Sequence, residues 1–176
     1  MSHYRRNYIE GGTFFFTVKL ADPKSRLLVE HINLLRETYA SVQKRYPFET
    51  VAICVMPNHL HAVWTLPDGD SDYPLRWRLI KTGFSNHFSA SNTLSASKRR
   101  RHEKGIWQRR FYEHTVRDDV DLRRVVDYAH FNPVKHGLAA NVKDWPFSSF
   151  HRFVRDDLLP PDWGGTAETW ATHFGE

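Results

Sequence analysis

The sequence predicts an α+β fold, a ferredoxin-like split β-α-β unit in which helices pack on an antiparallel sheet. Three observations carry this prediction. Strand-like and helix-like hydrophobic patterns follow one another in the order β-α-β-β-α-β-α. Two strand-like runs are separated only by Met56-Pro57-Asn58, a spacing that forces a hairpin. The chain shows no internal repeat, and 176 residues suit one domain with a real core. The expected division is a domain over residues 1–155 and a C-terminal tail over 156–176.

The first strand, Thr13 to Leu20, enters from a glycine turn and is rich in aromatic and β-branched residues. Asp22 is expected to cap a helix that has Pro23 at its first position. Leu27, Leu28, Ile32, Leu35, Tyr39 and Val42 give that helix an apolar stripe to about Arg45. The hairpin follows, with strands near Glu49–Val55 and His59–Leu66. "LPDGDSDYP" is rich in turn formers and supplies the next N-cap. Trp77, Ile80, Phe84 and Phe88 then repeat at helical spacing to about Ser89. "SASNTLSASKRRRHEKG" lacks periodicity and reads as a loop. "FYEHTVR" is a short strand. Asp118 or Asp119 opens a last long helix whose inward residues are Leu122, Val125, Val126 and Ala129, ending near "FNPVKHG". The pattern after "DWPFSSF" assigns no element.

The composition points to an acidic partner. The net charge is +5 with all 11 histidines neutral, and aromatic residues make up 14%, including 6 Trp. Lys and Arg neutralise phosphates and aromatic rings stack on bases, so nucleic acid fits, although tryptophan also fills cores. A single cysteine, Cys54, excludes an internal disulfide and a cysteine-based zinc site. Its place in an apolar run makes it a small buried hydrophobe. No apolar run approaches about 18 residues and no signal sequence opens the chain, so a cytoplasmic protein is expected, nucleoid-associated if its partner is DNA.

The second hairpin strand contains "HLH". Alternate residues of a strand share a face, so His59 and His61 point together while Leu60 points away. Paired imidazoles are half of a metal site, or simply two histidines on a half-exposed sheet. A further donor comes from the late helix "RRVVDYAHFNPVKHG", where Tyr128 and Asn132 lie four apart on one face. By spacing alone, Tyr128 is also an ordinary aromatic on a core stripe. Pro133 disfavours helical conformation at Asn132, so the helix is expected to end or bend there.

Taken together, "HLH" after "MPN", "VDYAHFNPVKHG", "IWQRRFYEH", "YRRNYIEGGTFFFTV" and "DWPFSSFHR" resemble the REP-associated tyrosine transposases. These are single-tyrosine members of the HUH endonucleases, named for histidine–hydrophobe–histidine. The resemblance runs in order over about residues 4 to 153. It implies that residues 1–155 form an HUH single-tyrosine transposase-like domain. It further implies that His59 and His61 are metal ligands, that Asn132 is the third, and that Tyr128 is the nucleophile. The implied metal is divalent, Mg²⁺ or Mn²⁺, with Mn²⁺ better suited to imidazole.

The implied reaction is metal-dependent cleavage and rejoining of single-stranded DNA at repetitive extragenic palindrome hairpins, through a 5′-phosphotyrosine intermediate. Monomeric action is implied, with a dimer open because insertion-sequence relatives pair. Candidate DNA contacts are Tyr4, Arg5, Arg6 and Tyr8 in an aromatic-basic arm, Arg76, Arg78 and Lys81 on the second helix, and Arg109 and Arg110 before a strand. The basic run Lys98 to Lys104 reads as an electrostatic steering element or a soluble loop. One rival reading is a non-catalytic binder or regulator of structured DNA on a transposase scaffold. Another is a metal-dependent hydrolase of small phosphoesters, against which stands the lack of a phosphate-cradling glycine loop.

Overall fold

Four aromatic or β-branched runs pair into one antiparallel sheet. The structure, a computed structural model, describes residues 7–89 and 104–164. Tyr4, Arg5, Arg6, the run from Lys98 to Glu103 and the chain beyond residue 164 lie outside the described residues. The elements are β1 (Thr13–Lys19), α1 (Leu27–Glu30), α2 (Ile32–Arg45), β2 (Glu49–Val55), β3 (His59–Thr65), α3 (Tyr73–Ser85), β4 (Tyr112–Thr115), α4 (Asp119–Lys135), a 3₁₀ turn (Val142–Asp144) and α5 (Phe150–Arg155). The strand order is β2-β3-β1-β4. β3 is antiparallel to both β1 and β2, which therefore run parallel with β3 between them: the split unit expected from the element order.

Register decides what each face carries. Phe14 pairs with Trp64, Phe16 with Ala62 and Val18 with Leu60. These side chains are buried with Leu28, Leu35, Trp77, Ile80 and Phe84 under α1, α2 and α3. Each large apolar side chain so buried contributes about 1.5–3 kcal/mol. Trp64 and Trp77 stack there, centroids 4.1 Å apart. α2 and α3 approach closely at Gly83, where a Cβ would meet Thr38 Cγ2 at 2.6 Å.

The opposite face carries Phe15 opposite Val63, Thr17 opposite His61 and Lys19 opposite His59. α4 lies over the β2 and β3 side of this face, where Val125, Val126 and Ala129 pack on Phe15, Ala52 and Val63. Asp118 caps the helix, its side chain accepting from the Asp121 amide.

Three local expectations are corrected. Asp22 accepts from the Lys24 amide in a turn and caps no helix; the first helix starts at Leu27 and breaks at His31. This segment is tied to the hairpin turn instead, through Leu28 N–H to the Pro57 carbonyl and Asn58 Nδ2 to the Pro23 carbonyl. α4 does not stop at Asn132 but runs through Pro133 to Lys135, with Gly137 following at φ +66°. Pro133 cannot donate to the Ala129 carbonyl. Tertiary packing outweighs that loss, because Phe131 and Val134 are buried against Val142, Phe150 and Trp163.

The third correction is Arg76, proposed as a DNA contact. Its side chain is only 2% exposed. All five N–H donors are spent: Nε on the Tyr46 carbonyl, Nη1 on Asp70 Oδ1 and the Asp72 carbonyl, Nη2 on Asp70 Oδ2 and the Pro47 carbonyl. Arg76 is a strut between two loops. Replacing it by Met strands three carbonyls and a carboxylate, so Arg76→Met should lose about 2–4 kcal/mol of stability in urea unfolding. An unchanged midpoint would contradict that role.

Candidate active site

His59 and His61 leave the sheet on the face that α4 covers, and the last turns of α4 bring Tyr128, Asn132 and His136 to them. The His59 and His61 ring centroids are 5.1 Å apart. Tyr128 meets His61 edge-on at 5.2 Å, and His136 meets His59 at 5.3 Å. Spacing of four along the helix puts Tyr128, Asn132 and the C-cap His136 on one face, which accounts for the two contacts it makes with the histidine rings. Phe15 stacks on His61 at 5.3 Å and touches Tyr128 at 5.9 Å, so one ring positions both. Tyr128 keeps 37% of its surface exposed, and the Lys135 amine lies 5.3 Å from the centre of its ring.

The imidazoles are held neutral and turned. Burial pushes His59 down to about 4, helped by His136 and Lys19, and His61 down to about 3, helped by His59, His136 and Lys19. Asn58 Nδ2 donates to the Pro23 carbonyl, which leaves Asn58 Oδ1 to accept from His59 Nδ1 at 2.6 Å. That bond places the proton on Nδ1 and a lone pair on Nε2. His61 Nδ1 is bonded to Thr17 Oγ1 at 3.0 Å.

His61 Nε2 and Asn132 Oδ1 are both buried and have no hydrogen-bond partner. The Asn132 amide is near enough to both imidazoles to oppose the fall in their pKa, yet its geometry gives neither a bond. A buried polar atom without a partner is costly, and a carboxamide oxygen beside two imidazoles is a donor set that a cation would satisfy. The donor chemistry therefore fits a divalent ion. Among the described residues no group of three His, Cys, Asp or Glu is disposed to hold a metal, so an ion here would depend on the carboxamide.

The same burial makes folding sensitive to acid. His59, His61 and His130, the last pushed down to about 3, all titrate below the ordinary 6.5 when folded. The unfolded chain then binds more protons, so stability is full above 6.5 and declines as pH falls towards the folded values. The melting temperature should drop between pH 7 and pH 5; a flat profile would contradict the burial of these rings.

Of the remaining sequence-derived residues, Arg78, Lys81 and Arg109 come together in a groove of about 440 Å³ between α3 and the segment before β4, with Thr82 and Phe111. The Lys81 amine donates to the Gln108 carbonyl at 2.6 Å, tying α3 to the segment before β4. Arg110 is exposed beside it. Tyr8 is exposed and stacks on Tyr73 at 5.8 Å.

The chain is 47% identical over 165 residues to the REP-associated tyrosine transposase of Escherichia coli strain K12, covering 94% of this chain and 92% of that protein. A Haemophilus influenzae protein given the same family name is 45% identical over 169 residues, 96% of each. This chain belongs to the REP-associated tyrosine transposases. A solved transposase of this family, bound to a REP hairpin, superposes with a TM-score of 0.83 at 47% identity over 94% of this chain and 92% of that one. No family profile matches the chain.

Within the family fold, sequence reasoning missed Asn58, Thr17, Phe15 and His136. Only His136 had a readable signal, its place eight residues after Tyr128. Among the described residues no helix is long and apolar enough to cross a membrane.

Proposed function

We propose that the protein cleaves and rejoins single-stranded DNA at REP-type hairpins through a covalent tyrosine intermediate. The observation that supports this most is the meeting of a half-exposed phenol, Tyr128, with two buried polar atoms that have no hydrogen-bond partner, His61 Nε2 and Asn132 Oδ1. His59, His61 and Asn132 would hold a divalent cation, Mg²⁺ or Mn²⁺, which when bound polarises a phosphate and offsets its developing charge. The relative solved with a REP hairpin supports the same class of substrate here.

The protein's own groups supply the rest. Tyr128 oxygen attacks phosphorus, forming a 5′-phosphotyrosyl ester as the P–O3′ bond breaks and the 3′-hydroxyl departs carrying a proton. One phosphoester replaces another, so a 3′-hydroxyl can later reverse the step without ATP. Phe15 holds the Tyr128 and His61 rings in contact, and Asn58 and Thr17 fix the imidazoles. Because Tyr128 lies on a helix against a sheet, the strand must be flexible to reach it, which favours unpaired DNA beside a hairpin.

The test is to incubate the protein with labelled hairpin oligonucleotides from its own genome, each with single-stranded flanks, in Mn²⁺ or Mg²⁺. A DNA-linked band on a denaturing gel, absent with chelator, is the expected result. Binding without any cut across metals would instead identify a non-catalytic hairpin binder.

A further inference from the structure

α4 covers only part of its sheet face. It packs on β2 and β3, and beyond it the β1 and β4 side of that face forms the floor of an open groove. Register sets the floor: Phe15 lies opposite His114, and Thr17 opposite Tyr112. The wall is α4 and the turn before it, with Arg117, Asp121, Arg124 and Val125, and the groove ends at Tyr128. Its volume is about 460 Å³, within the range of clefts for small ligands and too small for a duplex.

The groove has a built polar interior. Asp121 is 7% exposed, and both its oxygens receive His114 Nε2, at 3.0 and 2.9 Å. The same carboxylate accepts from the Arg117 amide at 3.0 Å and is paired with Arg117 Nε at 3.3 Å. A carboxylate can only accept, so it draws a proton onto Nε2 and fixes the ring plane. Tyr112 is 56% exposed on the floor, meeting Phe15 edge-on at 6.4 Å. Arg124 is exposed one helical turn before Tyr128. An open aromatic, two guanidinium groups and a fixed imidazole in one cleft match a base, its phosphates and a base edge.

We propose that this groove is the subsite for one unpaired nucleotide adjoining the phosphate that Tyr128 attacks. Its base stacks on Tyr112, its phosphates lie against Arg124 and Arg117, and His114, oriented by Asp121, contacts the base edge. The subsite rests on the reading of Tyr128 as nucleophile and adds to it a residue set that chooses the neighbouring base.

The experiment uses Tyr128→Phe protein, so that nothing is cut, and two probes: a hairpin without flanks, and the same hairpin with flanks carrying 2-aminopurine at successive positions. The expected result is quenching at one position next to the cut. Tyr112→Ala should abolish the quenching and weaken the flanked probe about tenfold, leaving the bare hairpin unchanged. Tyr112→Phe should retain both. His114→Ala should flatten the preference among the four bases at that position. Quenching that survives Tyr112→Ala, or equal loss for both probes, overturns the subsite. Failure of the parent protein to bind either probe strikes the DNA reading itself, and the subsite with it.

Discussion

Tyr128→Phe should still bind its hairpin, with an affinity within about twofold of the parent, and form no covalent adduct. The substitution removes one oxygen and keeps the ring. Contacts with Phe15 at 5.9 Å, His61 at 5.2 Å and the Lys135 amine depend on that ring, so local packing is preserved. The nearby Thr17 hydroxyl is committed to His61 Nδ1. Activity should therefore fall below detection, because a covalent route without its nucleophile has no partial form. A denaturing gel with labelled oligonucleotide is decisive. DNA-linked protein at the parent level would move the nucleophile elsewhere. Loss of hairpin binding along with the adduct would assign Tyr128 to grip, and chemistry would lose its support.

The second large effect has an unusual sign. Asn132→Leu should unfold at a higher temperature and lose at least about a hundredfold in cleavage. Asn132 is fully buried, its Oδ1 has no partner, and its Nδ2 makes only a long 3.5 Å contact with the Tyr128 carbonyl. An unsatisfied buried acceptor costs about 1–3 kcal/mol. Leucine has a similar volume, removes the stranded dipole and favours helix more than asparagine. In a chain of this size each kcal/mol moves the midpoint by about 2–4 °C, so a rise of several degrees is expected. The same change removes one of the three donors proposed to hold a cation. Thermal melts without added metal, paired with titration of Mn²⁺ into both proteins, separate the two effects. A lower midpoint would mean that the amide serves packing and would remove the main evidence for a cation site.

These effects were visible in the sequence to different depths. Period-two alternation put His59 and His61 on one face, and a spacing of four put Tyr128 and Asn132 on another; both are local rules that survive folding. Arg76 misled because a charged residue on an amphipathic helix looks solvated. Only the tertiary approach of the Tyr46–Pro47 carbonyls and Asp70 reveals that it is enclosed. Pro133 misled in the opposite direction, since local preference ends a helix there and burial of Phe131 and Val134 sustains it. Asn58 sat in plain view in the hairpin turn, yet its orienting role depends on the Pro23 carbonyl, thirty-five residues earlier. The Tyr112 groove had no linear signal at all. It exists because a helix from one part of the chain leaves a strand from another uncovered.

The late segment around Ser148 closes the outer edge of β2. Ser149 N–H donates to the Ile53 carbonyl, Val55 N–H to the Phe147 carbonyl, and Ile53 N–H to Ser149 Oγ. During synthesis, β2 leaves the ribosome nearly a hundred residues before this cover does, with its hydrogen-bonding groups open to any other nascent strand. The protein should thus be most prone to clump while half made, and release of chains cut short before Phe147 should load the cell's chaperones more heavily than release of the finished product.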